Sequence, residues 1–471
     1  MAVFFFYFYI EGGILSDFSS SFSATLREVF SEKELQKKAV ASGFYKRRCD
    51  FTPTKFFDLL LYCASHSQLC SLSQASSSAS DVCGLKIAKQ SIDGRFTGEA
   101  VAFVLDVLKE VLERQLSSVF CAEFLPQFNQ VCIKDSTKFN VDNRLSGHYK
   151  GTGARPGTTK ACVCIQYEYD LRSGKILDLN VTEGVRNDSM DAAQTKERIN
   201  KTDLILRDLG YYNLSILTGF AKAGAFFISR LNTSTLIYDL GQTDSLNFKE
   251  LYAHMRKYKL TSCEKQVIVS KKDQEELRLI ISIVPEQVYE ERIKKVNKYN
   301  KVKGWKTSDD YKARCRFNLF ITNVPAENIS FEQVMLLYRL RWQVELMFKN
   351  WKSVCAIHKL QPMKYERFTC LLFAKLILIV VNLQIIRNLQ GYHFKKTKQI
   401  LSEYKCFKTL QVSFRILKSI WKERRKKSEK NLMKLIRLLS SNHWKENRKE
   451  RNNLSEIIDL FICKSKYYEY I

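Results

Sequence analysis

Paired cysteines are missing from this sequence: its 14 cysteines are scattered, no CxxC occurs, and only Cys162 and Cys164 stand close together. That distribution argues against a disulfide framework. Two cysteines at i, i+2 share one face of a strand and suit small buried hydrophobes in a reducing cytosol. Histidine is scarce too, with six in 471 residues. His148 and His358 each lack a second histidine at ligand spacing, so no zinc centre is expected and both read as structural. Long uninterrupted apolar runs are also absent. The opening Met1–Ile10, MAVFFFYFYI, has no basic start and is far shorter than a membrane span, and reads as a short strand or the product of a misplaced start codon. Leu371–Ile386 is the most apolar stretch, but Lys375, Asn382 and Gln384 interrupt it, so it reads as a core helix. No internal repeat is present.

Acidic residues are the remaining shortage. Against 76 Lys and Arg stand 49 Asp and Glu, a net charge of +27. Charge of that size creates a field that favours polyanions, and nucleic acid is the leading partner. A ribosome, an anionic membrane or plain solubility would draw on the same charge. With 45% hydrophobic and 12% aromatic residues the chain can bury a core. Its length suits two to four structural units of roughly 100–200 residues.

Residues 1 to about 125 read as helical and basic, with helices predicted over Ser23–Ser42, Pro53–Ser65 and Gly98–Gln115, the last capped by Thr97. Between them lies a serine-rich stretch, Ser71–Ser80, and then LKIAKQSIDGRF. There Ile87, Ser91 and Arg95 share one side of a short helix near Gly94, a helix-turn-helix-like pattern that any three-helix bundle also produces. From Gln130 the period changes. VCIKD, ACVCIQYEYD and KILDLNVTEG read as three strands, joined by turn-rich segments that include GTGARPGTTK and RSGK. A polar helix over Ser189–Asn200 and a fourth strand, LILRD, follow, so that Asp135 ends the first strand and Asp208 closes the fourth. AFFISRL, TLIYDL, KQVIVS, LRLIISIV and FNLFITNV add strands, with a charged loop, ERIKKVNKYNKVKGWK, among them. Helix resumes at Ser330, an N-cap candidate, and a basic helical tail begins near residue 391.

The segment YRLRWQVELMFKNWKS carries the clearest chemistry. Wound as one helix with Tyr338 at zero, Arg341 falls near 300°, Glu345 near 340° and Lys352 near 320°, an arc about 60° wide and roughly 21 Å long. Leu336, Leu340, Val344, Met347, Phe348 and Trp351 fill the adjacent arc, giving a core face bordered by a polar stripe. A carboxylate flanked by two cations and a phenol beside a core suits a metal-bound phosphate backbone. An ordinary amphipathic helix with an Arg341–Glu345 pair at i, i+4 would look the same.

Tyr338-x2-Arg341-x3-Glu345-x6-Lys352 resembles the YREK signature of the insertion-sequence-4 family of bacterial transposases, and the surrounding wording is similar throughout. IKDST, with Asp135, resembles that family's first acidic motif, and LRDLGYYN, with Asp208, its second. TEGVRND and FFISRL are similar to its connecting segments. The likeness runs from about residue 130 to 355. Alone, each aspartate reads as a turn or cap residue. The resemblance implies a ribonuclease H-like fold in which Asp135, Asp208 and Glu345 hold two Mg²⁺ or Mn²⁺ ions for cutting and joining DNA. It further implies that Arg341 and Lys352 grip phosphates at the transposon end, that Tyr338 contacts a phosphate near the terminal nucleotide, and that Trp305 stacks on a flipped base; a surface or core tryptophan is the plainer reading of Trp305.

The resulting expectation is an α/β chain: a helical DNA-binding region over 1–125, a catalytic domain over 126–231 and 328–390, a β-rich insertion over 232–327, and a basic helical region over 391–471. Its function would be cut-and-paste transposition by a homodimer that synapses inverted repeats in a bacterial cytoplasm. A non-catalytic DNA-binding remnant, or a metal-dependent nuclease that never joins strands, are the alternatives.

Overall fold

The computed structural model describes residues 2–66, 71–117, 124–152, 160–188, 198–232, 235–269, 275–446, 456–458 and 461. The chain divides into two compact units. The first comprises Met1–Leu125, Ser136–Val185 and Glu345–Ile471, and the second comprises Pro126–Asp135 and Arg186–Val344. The turn-rich GTGARPGTTK lies largely outside the described residues, as do most of the predicted helix Ser189–Asn200 and the end of the basic tail.

The first unit is mostly helical. Its N-terminal helices are α1 (Ala2–Val29), α2 (Glu32–Ala41), α3 (Pro53–Ser65), α4 (Leu72–Cys83), α5 (Lys89–Asp93) and α6 (Gly98–Glu113). The predicted Pro53–Ser65 is α3 to the residue, with Pro at the first turn and the Thr52 hydroxyl accepting from the Lys55 amide. Thr97 caps α6 in the same way through the Ala100 amide. Three expectations change. The apolar start is helix, not strand. Ser23–Ser42 is two helices, because Ser31 breaks the chain and caps α2 through the Glu34 amide. The serine-rich stretch is α4, begun by a capping box in which Ser71 and Gln74 each satisfy the other's backbone amide. In the helix-turn-helix-like segment, α5 has one buried residue, Ile92, and Arg95 turns inward to donate to Cys49 Sγ at 2.9 Å.

The same unit holds the hairpin β2 (Cys162–Asp170) and β3 (Ile176–Glu183), paired antiparallel from Val163–Glu183 onward. Asp170 accepts from the Arg172 and Ser173 amides in its turn, and Gly174 takes the left-handed φ of +70° that the turn requires. Among the described residues no two cysteines form a disulfide.

Helix α13 (Tyr365–Thr397) is the centre of this unit, packed on α3 and α6. It is long and apolar enough to cross a membrane, yet its apolar window is wholly buried within the chain's own fold, as the core-helix reading expects. Lys375, in its middle, is 3% exposed and donates to three backbone carbonyls, Ala64 at 3.1 Å, His66 at 3.2 Å and Cys355 at 3.0 Å. Two of these carbonyls lie in and just beyond the last turn of α3, where unpaired carbonyls gather, so the buried ammonium acts as a helix cap from another element. Three helices, α14 (Glu403–Val412), α15 (Phe414–Lys422) and α16 (Arg425–Asn442), follow, and α16 returns to α1, where Ser20 Oγ donates to Glu429 Oε1 at 3.0 Å.

The second unit is a sheet with helices on its faces. Its strands are the start of β1 (Val131–Asn140), β4 (Leu204–Arg207), β5 (Phe226–Arg230), β6 (Ile237–Asp239), β7 (Ser262–Val269), β8 (Glu275–Ile283) and β9 (Phe317–Thr322), hydrogen-bonded in the order β1-β4-β5-β9-β8-β7-β6. β1, β4 and β5 are parallel and the others antiparallel, the mixed α/β arrangement expected. Ile205, Phe227, Leu279, Leu319 and Ile321 form one face of the core, packed with α7 (Leu214–Lys222) and α8 (Phe248–Lys257) through Leu217, Phe220, Phe248 and Met255. The inserted region is not β alone. The charged stretch expected as a loop is α9 (Glu286–Lys303), followed by α10 (Asp309–Arg314), and its strands extend the ladder of β5 through β9.

Burial pushes the Lys375 ammonium down to about 8. The unfolded chain therefore binds the extra proton between pH 8 and the ordinary lysine range, so this group adds stability as pH rises through that window and withdraws it as pH falls through 8. Lys375→Met leaves three carbonyls without their donor and is expected to lower the unfolding free energy by about 2–4 kcal/mol. Urea melts across that pH range should show a steeper rise in the wild type than in the variant.

Candidate active site

The site is built on neighbouring strands of the second unit. In the β1–β4 ladder Val131 faces Leu204, Cys132 faces Ile205 and Ile133 faces Leu206. The same register carried two residues further sets Asp135 beside Asp208. Strands in a sheet lie about 4.8 Å apart and in-register residues point to the same side, so the pairing that ends at Ile133 and Leu206 directs the chain toward one place for both carboxylates. The ladder continues outward. Arg207 pairs with Ser229, which puts Arg230 beside Asp208, and Arg230 pairs with Phe320 on β9. Asp208 follows the last residue of β4 and opens a turn of 3₁₀ helix, as its expected place at the strand end requires. Asp135 does not end its strand: β1 runs on to Asn140, while the ladder with β4 stops at Ile133.

Over this row lies α11 (Phe331–Leu340), started by a capping box between Ser330 and Gln333. The single helix expected here is two, α11 and α12 (Trp342–Ser353), and Arg341 between them keeps right-handed helical angles, φ −53° and ψ −34°. The helical offset between Tyr338 and Arg341 therefore survives the break. Tyr338 Oη donates to Asp208 Oδ1 at 3.0 Å, and its ring packs on Phe320 with centroids 4.9 Å apart. Burial first, and then the Asp208 anion, push the Tyr338 phenol above its ordinary value, so it stays a donor. Arg341 Nη1 donates to Asp135 Oδ2 at 3.3 Å, and its Nε lies 3.8 Å from Asp208 Oδ1. One guanidinium thus spans both carboxylates. Sequence reasoning pointed Arg341 at DNA phosphate; in the fold its fork is directed at the two aspartates, because α11 carries it across the strand ends.

Arg230 went unnoticed in the sequence. Its guanidinium carbon is 5.9 Å from the Tyr338 ring centroid, and Arg341's is 5.7 Å away, so the phenol sits between two cations. The available signal was an arginine closing FFISRL, an apolar strand next in line after the one that ends at Asp208.

Glu345 and Lys352 belong to the first unit, on α12. Glu345 is half-buried in its first turn. Lys352 Nζ donates to the Lys138 carbonyl at 3.0 Å, and burial lowers its pKa. One ammonium hydrogen is thereby engaged and two remain to be directed elsewhere. Trp305 stands just past α9, 64% exposed, its ring 6.1 Å from that of Tyr299. His148 stacks on Tyr365 with centroids 3.7 Å apart.

Asp135 and Asp208 offer hard oxygen donors that already converge on one cation, the Arg341 guanidinium, and the donor type fits a divalent ion such as Mg²⁺ or Mn²⁺. Among the described residues, no three His, Cys, Asp or Glu side chains are gathered closely enough to hold a metal ion. Among them, two carboxylates meet here, not three.

A family model described as Transposase DDE domain matches residues 126–383, more than half the chain and inclusive of both aspartates and of α11 and α12. The chain belongs to the DDE transposases. It is similar along nearly its whole length to the transposase for insertion sequence element IS231B of Bacillus thuringiensis subsp. berliner, with 27% identity covering 93% of this chain and 94% of that one. The transposase for IS231E of Bacillus thuringiensis subsp. finitimus is 28% identical over the same shares of the two chains. That for IS1151 of Clostridium perfringens is 27% identical over 89% of this chain and 97% of its own. Membership makes this a DNA transposase of the ribonuclease H-like class, an enzyme that acts on DNA and depends on divalent metal.

In this transposase Arg341 offsets the repulsion between the paired aspartates. Their side chains are 17% and 36% exposed, so solvent screens part of that repulsion. Arg341→Ala is expected to cost about 1–2 kcal/mol in metal-free buffer, less than for a fully buried pair. Millimolar Mn²⁺ should then raise the melting temperature of Arg341→Ala more than that of the wild type. A variant as stable as the wild type without metal would show that the fork is not neutralising the pair.

Proposed function

We propose that this transposase moves an insertion sequence by cut-and-paste transposition, and that Asp135, Asp208 and Glu345 are its metal-binding catalytic triad. The observation that carries the reading is the convergence of Asp135 and Asp208 on Arg341, with Tyr338 donating to Asp208. Glu345 joins them as the carboxylate four residues beyond Arg341, at the spacing of the YREK signature. The three would hold Mg²⁺ or Mn²⁺, two ions in the working complex, which supply activation of a water or 3′-hydroxyl and stabilisation of the leaving oxygen.

The chain's own side chains do the rest. Tyr338 fixes the orientation of Asp208 through its hydrogen bond, presenting the other carboxylate oxygen outward. Arg341 and Arg230 keep the site electropositive enough to draw a phosphodiester toward two anions that would otherwise repel it. Arg341, once turned from the aspartates, grips phosphate as a fork, and Lys352 does so as a point charge. Tyr338 approaches a phosphate at the end of the element, and the exposed Trp305 stacks on an unpaired base. Residues 1–125 recognise the terminal inverted repeats as a DNA-binding region, 126–231 with 328–390 form the catalytic domain, 232–327 the insertion, and 391–471 a basic region for contacts between subunits. Synapsis of two ends calls for a homodimer, working in the bacterial cytoplasm at the nucleoid.

Asp135→Asn and Asp208→Asn are expected to lower cleavage of a supercoiled plasmid carrying the element's ends by at least about a thousandfold in Mn²⁺ while leaving DNA binding intact. Glu345→Gln should match them; if it cleaves like the wild type, the glutamate has been misassigned. Equal inertness of wild type and variants would favour the DNA-binding remnant. Pre-cut ends incubated with target DNA then separate a transposase, which yields joined product, from a nuclease, which does not.

A further inference from the structure

Helix α9 is an 18-residue helix in which no residue is buried. Its inward side is only half-covered. Tyr289, Arg292, Ile293, Val296 and Asn300, spaced three and four apart, are its partly shielded positions. Arg292 anchors it, donating to the Cys315 carbonyl at 3.1 Å and the Phe317 carbonyl at 2.8 Å at the edge of β9, and Arg316 stacks over the Tyr289 ring at 3.8 Å. Both anchors grip the first half of the helix. The second half leaves Lys294, Lys295, Lys298, Lys301 and Lys303 exposed, and ends at Gly304 in a left-handed cap.

The charges are sorted along α9. Its acids, Glu286, Glu290 and Glu291, lie toward the start, which the helix dipole favours, and the lysines lie beyond them. Lys294, Lys298 and Lys301 fall at i, i+4 and i+7, within an arc of about 60° and along roughly 10 Å of helix. Three flexible lysine side chains spread over that length can reach successive phosphates of one DNA strand. At the same end, Tyr299 is 55% exposed, Val302 79% and Trp305 64%. A merely solvated helix face would not set large aromatic surface among its lysines, whereas a nucleic-acid surface pairs cations for phosphate with rings for bases.

We propose that the second half of α9 is a DNA-backbone rail, in which Lys294, Lys298 and Lys301 contact successive phosphates of one duplex strand leading to the Tyr299–Trp305 pair. This rests on the reading that the chain acts on DNA, and it assigns α9 the sequence-independent part of that binding. Because no side chain of the helix is buried, removing the charges leaves the fold intact.

The test is the salt dependence of binding to a short, labelled, random-sequence duplex, measured by fluorescence anisotropy with the full chain. The variant Lys294→Gln/Lys298→Gln/Lys301→Gln is compared with Lys430→Gln/Lys434→Gln/Arg437→Gln on α16, which removes the same charge from another exposed helix face. Three lost phosphate contacts should reduce the slope of log K against log salt by about 2 to 3 in the α9 variant, with an unchanged circular dichroism spectrum. The α16 variant should keep most of the wild-type slope. An α9 variant with the wild-type slope overturns the proposal, as does an equal fall in both variants, which would mean that total charge alone matters. Failure of the wild type itself to bind the duplex would overturn the DNA reading beneath it.

Discussion

Two carboxylates that share one guanidinium are the constraint on which this site depends. β1 and β4 run parallel and in register up to Ile133 and Leu206, and Asp135 and Asp208 each follow two residues beyond. The fold then has to supply a cation, and it does so from above: α11 lies across the strand ends and delivers Arg341 to both carboxylates and Tyr338 to one. A pair of carboxylates answered by a cation, in a chain whose family is metal-dependent, is what the proposed metal site builds on.

The same logic explains why α13 is built as it is. A helix buried along nearly its whole length has no amphipathic stripe of its own, so its register is set by the few polar residues it carries. Lys375 reaches the end of α3 and the chain just after α12, and Arg387 reaches the Tyr167 hydroxyl on β2 at 2.7 Å. Such polar contacts specify where a uniformly apolar rod stops sliding, which hydrophobic burial by itself does not.

Much of this was legible in the sequence where periodicity or spacing carried it. The strands from VCIKD to FNLFITNV, the helix Pro53–Ser65 and the caps at Thr97 and Ser330 follow from alternation, proline position and capping chemistry. Tyr338 and Arg341 could be picked out because fixed spacing in one segment resembles a known family, and Asp135 and Asp208 because IKDST and LRDLGYYN resemble its acidic motifs. The directions of their side chains could not. A helical wheel orders residues around one axis and says nothing of what lies opposite, so it does not show that Arg341 reaches Asp135 and Asp208. Helix α9 was missed for a related reason: with no buried face, it has no apolar period to detect. The aromatic start was read as strand because its residue types favour strands, whereas the chain continues it as one helix into the buried Phe22, Leu26 and Val29.

The central claim, that Asp135 and Asp208 form one seat for a divalent cation, is tested most directly by replacing the metal with Fe²⁺ and mapping where locally generated hydroxyl radicals cut the backbone. Cuts at both β1 near Asp135 and the turn after β4, abolished together by Asp208→Asn, are the predicted result. Cuts at one of these places only, or an unchanged pattern in that variant, would contradict it.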